Sequence, residues 1–286
     1  MRRFACIAYA TFALSAPAIA QSGPPSGNTL PSAADVANRD MYTIGIGGAV
    51  VSDYEGSDDY RLIPAGAIRA RIRGISVSTN GPYLYVDLFP KHGRVSLDAG
   101  PIAGLRFDSR RHSDDSIVKL MVHRRTADEL GGFVGVSFHG LLDPYDSLAV
   151  HLDVLHDIGN AYKSTVFDPN VSFSTPLSQR TYVSLGAGAE IVTHKYADYY
   201  FGVMPADVIA TGGALPLYDP RHAGMKNWKA SLLVNQSITG NLLHGFSIFA
   251  LAQYSRLLGE FARAPIVSQR GSANQWMGAL GVAYTF

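Results

Sequence analysis

Residues 274–286 read N-Q-W-M-G-A-L-G-V-A-Y-T-F. From Trp276 onward every second side chain belongs to one set: Trp276, Gly278, Leu280, Val282, Tyr284 and Phe286. The residues between them, Gln275, Met277, Ala279, Gly281, Ala283 and Thr285, are mostly small or polar. A period of two describes a strand with one apolar face. That face has aromatics at its two ends and aliphatics between. A strand is built this way when its outer side crosses lipid and its ends lie at the headgroups. An amphipathic strand closing a soluble β-sandwich is the competing reading.

The chain ends on this aromatic, with Tyr284 and Phe286 as its last lipid-facing pair. Such an ending resembles the signal by which outer-membrane barrels are handed to the barrel assembly machinery. The other end points to the same compartment. Met1-Arg2-Arg3 is a short positive region, residues 4–16 are apolar, and Ala18-Ile19-Ala20 precedes Gln21 as a cleavage site. The apolar run is too short for a spanning helix, which needs about 20 residues. Residues 1–20 are therefore expected to be a signal peptide. The chain's one cysteine, Cys6, lies within it, which excludes disulfide and thiol chemistry from the mature protein.

Composition fits a barrel. Charged residues make up 16% of the chain, yet Gly, Tyr and Phe number 29, 15 and 13. Mean hydropathy is +0.07. Lipid-facing and lumen-facing residues alternate in a barrel strand, so their hydropathies average out. Acidic and basic residues nearly balance, which speaks against a nucleic-acid partner.

Residues 21–41 are rich in Ser, Pro, Gly and Asn and are expected to form a disordered periplasmic lead. Residues 42–286 then read as strands and turns. On the second strand Ile68, Ala70 and Ile72 face one side, and Arg69, Arg71 and Arg73 the other. Arginine facing lipid would cost about 2–4 kcal/mol at the midplane, so these three are expected to face a wet or counter-charged interior. Residues 95–107 alternate again, placing Asp98, Arg106 and Asp108 inward, where they could neutralise those arginines. His151 and Asp153 face inward from a later strand. Residues 75–79 and 83–89 are two short runs divided by Asn80-Gly81-Pro82, a hairpin signal. Counting them separately gives twelve strands. The fold expected is all-β, a closed antiparallel transmembrane β-barrel of about 12 strands, with 10 as the alternative, since such barrels have even strand numbers. Closure is required because an open sheet edge in hydrocarbon leaves costly unpaired backbone groups. Long loops are expected at residues 109–129, 193–226 and 259–273.

Candidate chemistry is sparse. The acidic turn of residues 53–60 lacks the spacing of a calcium loop and reads as a solvated turn. There is no G-x-S-x-G, although a barrel could assemble Asp, His and Ser from separate strands. The histidines show no metal-ligand spacing. Neither enzyme activity, nor a metal, nor a cofactor is expected. The inward charges read as a lumen network, since buried charges must be paired.

Three stretches, taken together, resemble the MipA/OmpV family of MltA-interacting outer-membrane proteins. The first runs from Asp53 through Tyr54-Glu55-Gly56-Ser57-Asp58-Asp59-Tyr60 to Pro64, similar to that family's Y-E-G-S-D-x-Y-R-x-x-P hairpin. The second is Tyr199-Tyr200-Phe201-Gly202-Val203. The third is Ala264-Pro265-Ile266-Val267, where the family has Ser for Ala264, with residues 281–286 following at the end. The resemblance implies an outer-membrane barrel in contact with lipid and lipopolysaccharide. It implies a scaffold joining a lytic transglycosylase to a penicillin-binding murein synthase, and it brings no catalytic residues. A pore for small solutes and a surface adhesin are the alternative functions.

Overall fold

A computed structural model describes residues 40–91, 93–107, 110 and 113–286. The expected signal peptide, most of the lead, and Asp108 lie outside the described residues.

Twelve antiparallel strands follow one another around a closed barrel. They are β1 (Met41–Ser52), β2 (Tyr60–Ile72), β3 (Ile75–Asn80), β4 (Tyr83–Asp87), β5 (Val95–Arg106) and β6 (Ala127–His139). The second half comprises β7 (Ser147–Asp157), β8 (Thr165–Pro176), β9 (Thr181–Val192), β10 (Gly224–Ser237), β11 (Gly245–Leu257) and β12 (Asn274–Thr285). The terminal stretch is the closing strand. β12 pairs with β11 on one side and with β1 on the other, from Thr43↔Thr285 to Val50↔Gly278. The hydroxyls of Thr43 and Thr285 lie 3.0 Å apart across that seam, and the Phe286 N–H donates to the Tyr42 carbonyl.

Alternation divides the wall as the sequence implies. Ile46, Leu62, Ile68, Leu97 and Leu280 are exposed on the outer face, while Thr43, Ala67, Arg71, Asp98 and Ala283 are buried inside. Two aromatic clusters bracket the outer face. Trp228, Tyr254 and Trp276 make edge-on and tilted ring contacts in succession at one level, with centroids 5.2 and 4.9 Å apart. Phe246, Tyr284 and Phe286 make edge-on contacts at the other, at 4.7 and 4.8 Å. Amphipathic rings favour the two membrane interfaces. On the inner side Phe249 lies over Gly281, where an added Cβ would come within 2.4 Å of the ring.

The two ends differ. One carries the short turns between β2 and β3, β4 and β5, β6 and β7, β8 and β9, and β10 and β11. The other carries the two-residue β3–β4 turn, the β1–β2 and β7–β8 turns, and the three long connections after β5, β9 and β11, whose buried residues join one apolar cluster. The segment after β9 forms helices α1 (His194–Phe201) and α2 (Pro205–Ala210). The segment after β11 forms α3 (Gly259–Arg263) and α4 (Pro265–Ser268). The connection between β5 and β6 contains one 3₁₀ turn, Val118–Leu120.

β3 and β4 have 6 and 5 residues, against 11 to 14 in every other strand. Only Arg69 to Ile72 of β2 pair with β3. Above them, Ile68 donates its N–H to the Thr79 hydroxyl at 2.9 Å. Backbone direction alternates along a strand, so Gly66, Pro64 and Leu62 turn their polar backbone groups to the same open edge. Proline has no N–H to leave unpaired, and an edge is where a strand tolerates it.

Two expectations shift. Arg73 is not in the wall: it occupies the β2–β3 turn, exposed, at φ 52°, with its N–H on the Asp40 carboxylate at 2.8 Å. The strand ends at Ile72, so its alternation does not extend to residue 73. The turn of residues 53–59 is not solvated throughout, since Asp53, Tyr54 and Ser57 are buried.

Candidate functional site: a capped lumen

The lumen is organised in three layers. The uppermost, at the long-loop end, is an apolar cap. Tyr196, Ala197, Phe201 and Val203 from α1 and its C-terminal flank, Leu215, and Ala264, Ile266 and Val267 around α4 are at most 1% exposed. The three motif stretches meet here. The Tyr54 hydroxyl donates to the carbonyls of Ile266 (3.1 Å) and Arg270 (2.8 Å). Phe201 packs edge-on against Phe261 at 5.2 Å. Gly56, at φ 98°, leaves room for Val267, donates to the Gln275 side chain and accepts from the Ser272 N–H. A side chain at that φ is strained, and its Cβ would fall 2.4 Å from the Val267 methyl. α1 and α2 have 8 and 6 residues, too short to persist alone, so packing rather than propensity holds them.

At the cap's edge, Asp115 accepts the N–H groups of Ile117 and Val118, both at 2.8 Å, and pairs with Arg270. Burial works to raise this carboxyl, but these donors together hold it below its ordinary value. Burial pushes the hydroxyls of Tyr54, Tyr162 and Tyr196 above the usual phenol range, so all three remain donors at neutral pH.

The middle layer is a charge network. Lys226 bridges Glu55 and Glu190. Arg106 pairs with Glu129 at 2.7 Å and reaches Glu190 at 3.4 Å. Glu129 also accepts the hydroxyls of Tyr83 (2.8 Å) and Tyr162 (2.6 Å), and Glu55 accepts that of Tyr196 (2.9 Å). A cavity of about 280 Å³ lies beside this layer, lined among others by Arg61, Glu55 and Met277.

The lowest layer is a larger cavity of about 370 Å³. Its lining descends to Gly93, Pro144 and Asp146 in the short turns. Arg69 and Arg71 line it from β2, and Arg71 Nε donates to Ser76 at 3.1 Å. Asp98 does not pair with those arginines: its partners are Lys91, Ser137 and His151, the last at 2.8 Å. Asp153 accepts the Tyr85 hydroxyl at 2.8 Å, and Asp168 pairs with Lys229.

The structure thus brings Arg69, Arg71, Asp98, His151 and Asp153 to one cavity and sets Arg106 above it; Arg73 is elsewhere. The motif residues divide. Tyr54, Glu55, Gly56 and Ser57 serve the cap and its network, while Asp58 is exposed. The Tyr60 hydroxyl accepts the Trp276 N–H at 3.3 Å, and Pro64 lies on the open edge. Sequence reasoning passed over Glu129, Glu190, Asp168 and Lys229, although each has the inward parity of its strand. Lys226 had no such signal. It shares parity with outward Trp228, and only the irregularity between Met225 and Asn227 turns it inward.

Among solved structures, the chain is similar to the CymD monoaromatic hydrocarbon channel, at 10% identity and a TM-score of 0.41, over 88% of this chain and 91% of that one. It is similar to an outer membrane channel from Pseudomonas putida F1 at 9% identity and 0.40, over 93% and 100%. A Pseudomonas aeruginosa FadL homologue gives 8% and 0.39, over 90% and 92%. At such identities the likeness is one of barrel shape. No curated protein matches the chain. The family model described as MltA-interacting protein MipA matches residues 44–286. Because that match runs over the barrel from β1 to its closing strand, the chain belongs to the MipA family and is an outer-membrane barrel.

Proposed function

We propose that this barrel is an interaction protein of the outer membrane, linking a lytic transglycosylase to a penicillin-binding murein synthase. The observation that carries the reading is the asymmetry of the lumen. Its long-loop end is closed by the buried side chains of the cap, with the smaller cavity beneath them, and its larger cavity lies toward the short-turn end, the periplasmic end of such barrels. A capped outer end suits a docking protein better than an open pore. The periplasmic turns also offer apolar tips: Leu142 is 86% exposed and Leu177 66%. The first tip is held rigid. Asp146 accepts the N–H groups of Leu141 and Leu142 at 2.7 Å and of Asp143 at 3.0 Å. Family membership supports the first partner, since the family is described by its interaction with MltA. The reading assigns the barrel no catalytic step.

Co-purification from cross-linked cell envelopes tests it. The expected outcome is recovery of a lytic transglycosylase and a penicillin-binding protein, reduced several-fold by Leu142→Ser with Leu177→Ser. Recovery of neither enzyme with the unaltered barrel overturns the proposal.

A further inference from the structure

We propose that the lower cavity binds a small organic monocarboxylate, with Arg69 as the anion contact and Leu233 and Leu251 as the wall for the ligand's apolar body. The inference goes beyond the partner-docking role and does not depend on it.

The cations of the lumen are unequally paired. The lumen cations Lys91, Lys226, Lys229 and Arg106 each meet a carboxylate. Arg69 faces the same water-accessible space, yet among the described residues its side chain has neither a hydrogen bond nor an ion pair. Its neighbour two residues along the same inner face is a second guanidinium, Arg71, whose Nε is directed to the neutral Ser76 hydroxyl. Two like charges on one face of a strand repel. An anion beside Arg69 relieves that repulsion and supplies the forked acceptor that a guanidinium fits.

The acids of the cavity do not fill this role. Asp87 is engaged by Lys91, Asp98 by Lys91, Ser137 and His151, Asp168 by Lys229, Asp153 by the Tyr85 hydroxyl, and Asp146 by backbone N–H groups of its own turn. They sit on β4, β5, β7, β8 and the β6–β7 turn, whereas the two arginines sit on β2. An anion at Arg69 therefore faces acids across the cavity. A ligand carrying two negative charges is disfavoured there, and a monoanion is tolerated.

The rest of the wall selects the ligand's body. Leu233 of β10 and Leu251 of β11 are paired residues that line the cavity and continue into the apolar cluster with Ala67 and Phe249. A volume of about 370 Å³ is within the range of small-molecule sites, on the order of 300–1,000 Å³. Access is from the short-turn end, so the ligand comes from the periplasmic side.

Benzoate is the probe, with benzamide as its neutral counterpart and phthalate as the dianion. Calorimetric titration of the full barrel in non-ionic detergent is expected to show saturable benzoate binding. Benzamide and phthalate should bind at least ten-fold more weakly. Arg69→Gln should weaken benzoate at least ten-fold while leaving the heat-modifiable gel shift of the folded barrel intact, and Arg69→Lys, which keeps the charge but not the fork, should fall between the unaltered barrel and Arg69→Gln. Absence of saturable benzoate binding, equal binding of benzoate and benzamide, or an unchanged affinity in a folded Arg69→Gln barrel each overturns the proposal. If Arg69→Gln does not fold, the three ligands on the unaltered barrel decide it alone. Recovery of murein enzymes plays no part in this readout, so failure here leaves the docking role standing, and the reverse.

Discussion

Asp146 shows how one side chain sets the shape of a turn. Burial acts against its charge, yet the surrounding backbone N–H groups of residues 140–143 hold its carboxyl below the ordinary value. A group depressed on folding adds stability above its unfolded pKa and loses it as pH falls through the folded one. The β6–β7 turn is therefore expected to be held at neutral pH and to loosen in strongly acidic solution. Asp146→Asn should remove the contribution at every pH, on the order of 1–3 kcal/mol for a charged acceptor with several donors. Amide exchange of Leu141, Leu142 and Asp143 at neutral and acidic pH checks both statements, and equal protection in the variant would refute them. Such a residue is half legible beforehand. Asp in a turn suggests backbone capping, but its donors follow from the turn's path. Lys226 was less legible still, because local alternation assigns it to the wrong face.

At the level of elements, the alternating strands declared themselves, including the short pair divided by Asn80-Gly81-Pro82. The consequence of their shortness did not. Residues 62–68 of β2 keep β1 on one side and, above Ile68, pair with no strand on the other among the described residues. This arrangement predicts a sharp contrast in tolerance to proline. Leu62→Pro removes an N–H already at the open edge and should leave assembly and stability nearly unchanged. Ile63→Pro removes one directed to β1, at a cost of about 1–3 kcal/mol for the acceptor left unpaired. Urea unfolding followed by the heat-modifiable shift distinguishes the two, and equal losses would show that the upper β2 edge is covered. The cap helices were illegible for the opposite reason. They are short, and α1 and α3 have no side-chain cap, so they exist only where the barrel gives them something to pack on.

For the molecule as a whole, the stacked layers predict that the barrel does not conduct steadily. In planar bilayers the unaltered protein should show no sustained openings, whereas replacing residues 194–222 by a short turn should produce them. That deletion removes α1 and α2 together with Tyr196, Tyr200 and Phe201 from the upper lumen. Steady conductance in the unaltered barrel would overturn the capped-lumen reading and favour a solute pore.

Read alone, the amino-acid order determined the class of fold and the two faces of the wall, and it set the strand number at about twelve with ten as the alternative. Side-chain parity on a strand is a local property, and a lipid-facing band leaves no ambiguity about which face is outside. It also brought the family into view through residues 53–64, 199–203 and 264–267. Only the tertiary structure decided what those stretches do together. Their contacts join residues more than two hundred positions apart, as in Tyr54 to Ile266, and no periodicity reaches that far. It likewise decided that Asp98 serves Lys91 and His151 rather than the arginines, leaving Arg69 without a counter-charge among the described residues. Pairing in a lumen depends on which inward side chains closure brings opposite one another, and closure is a property of the whole sheet.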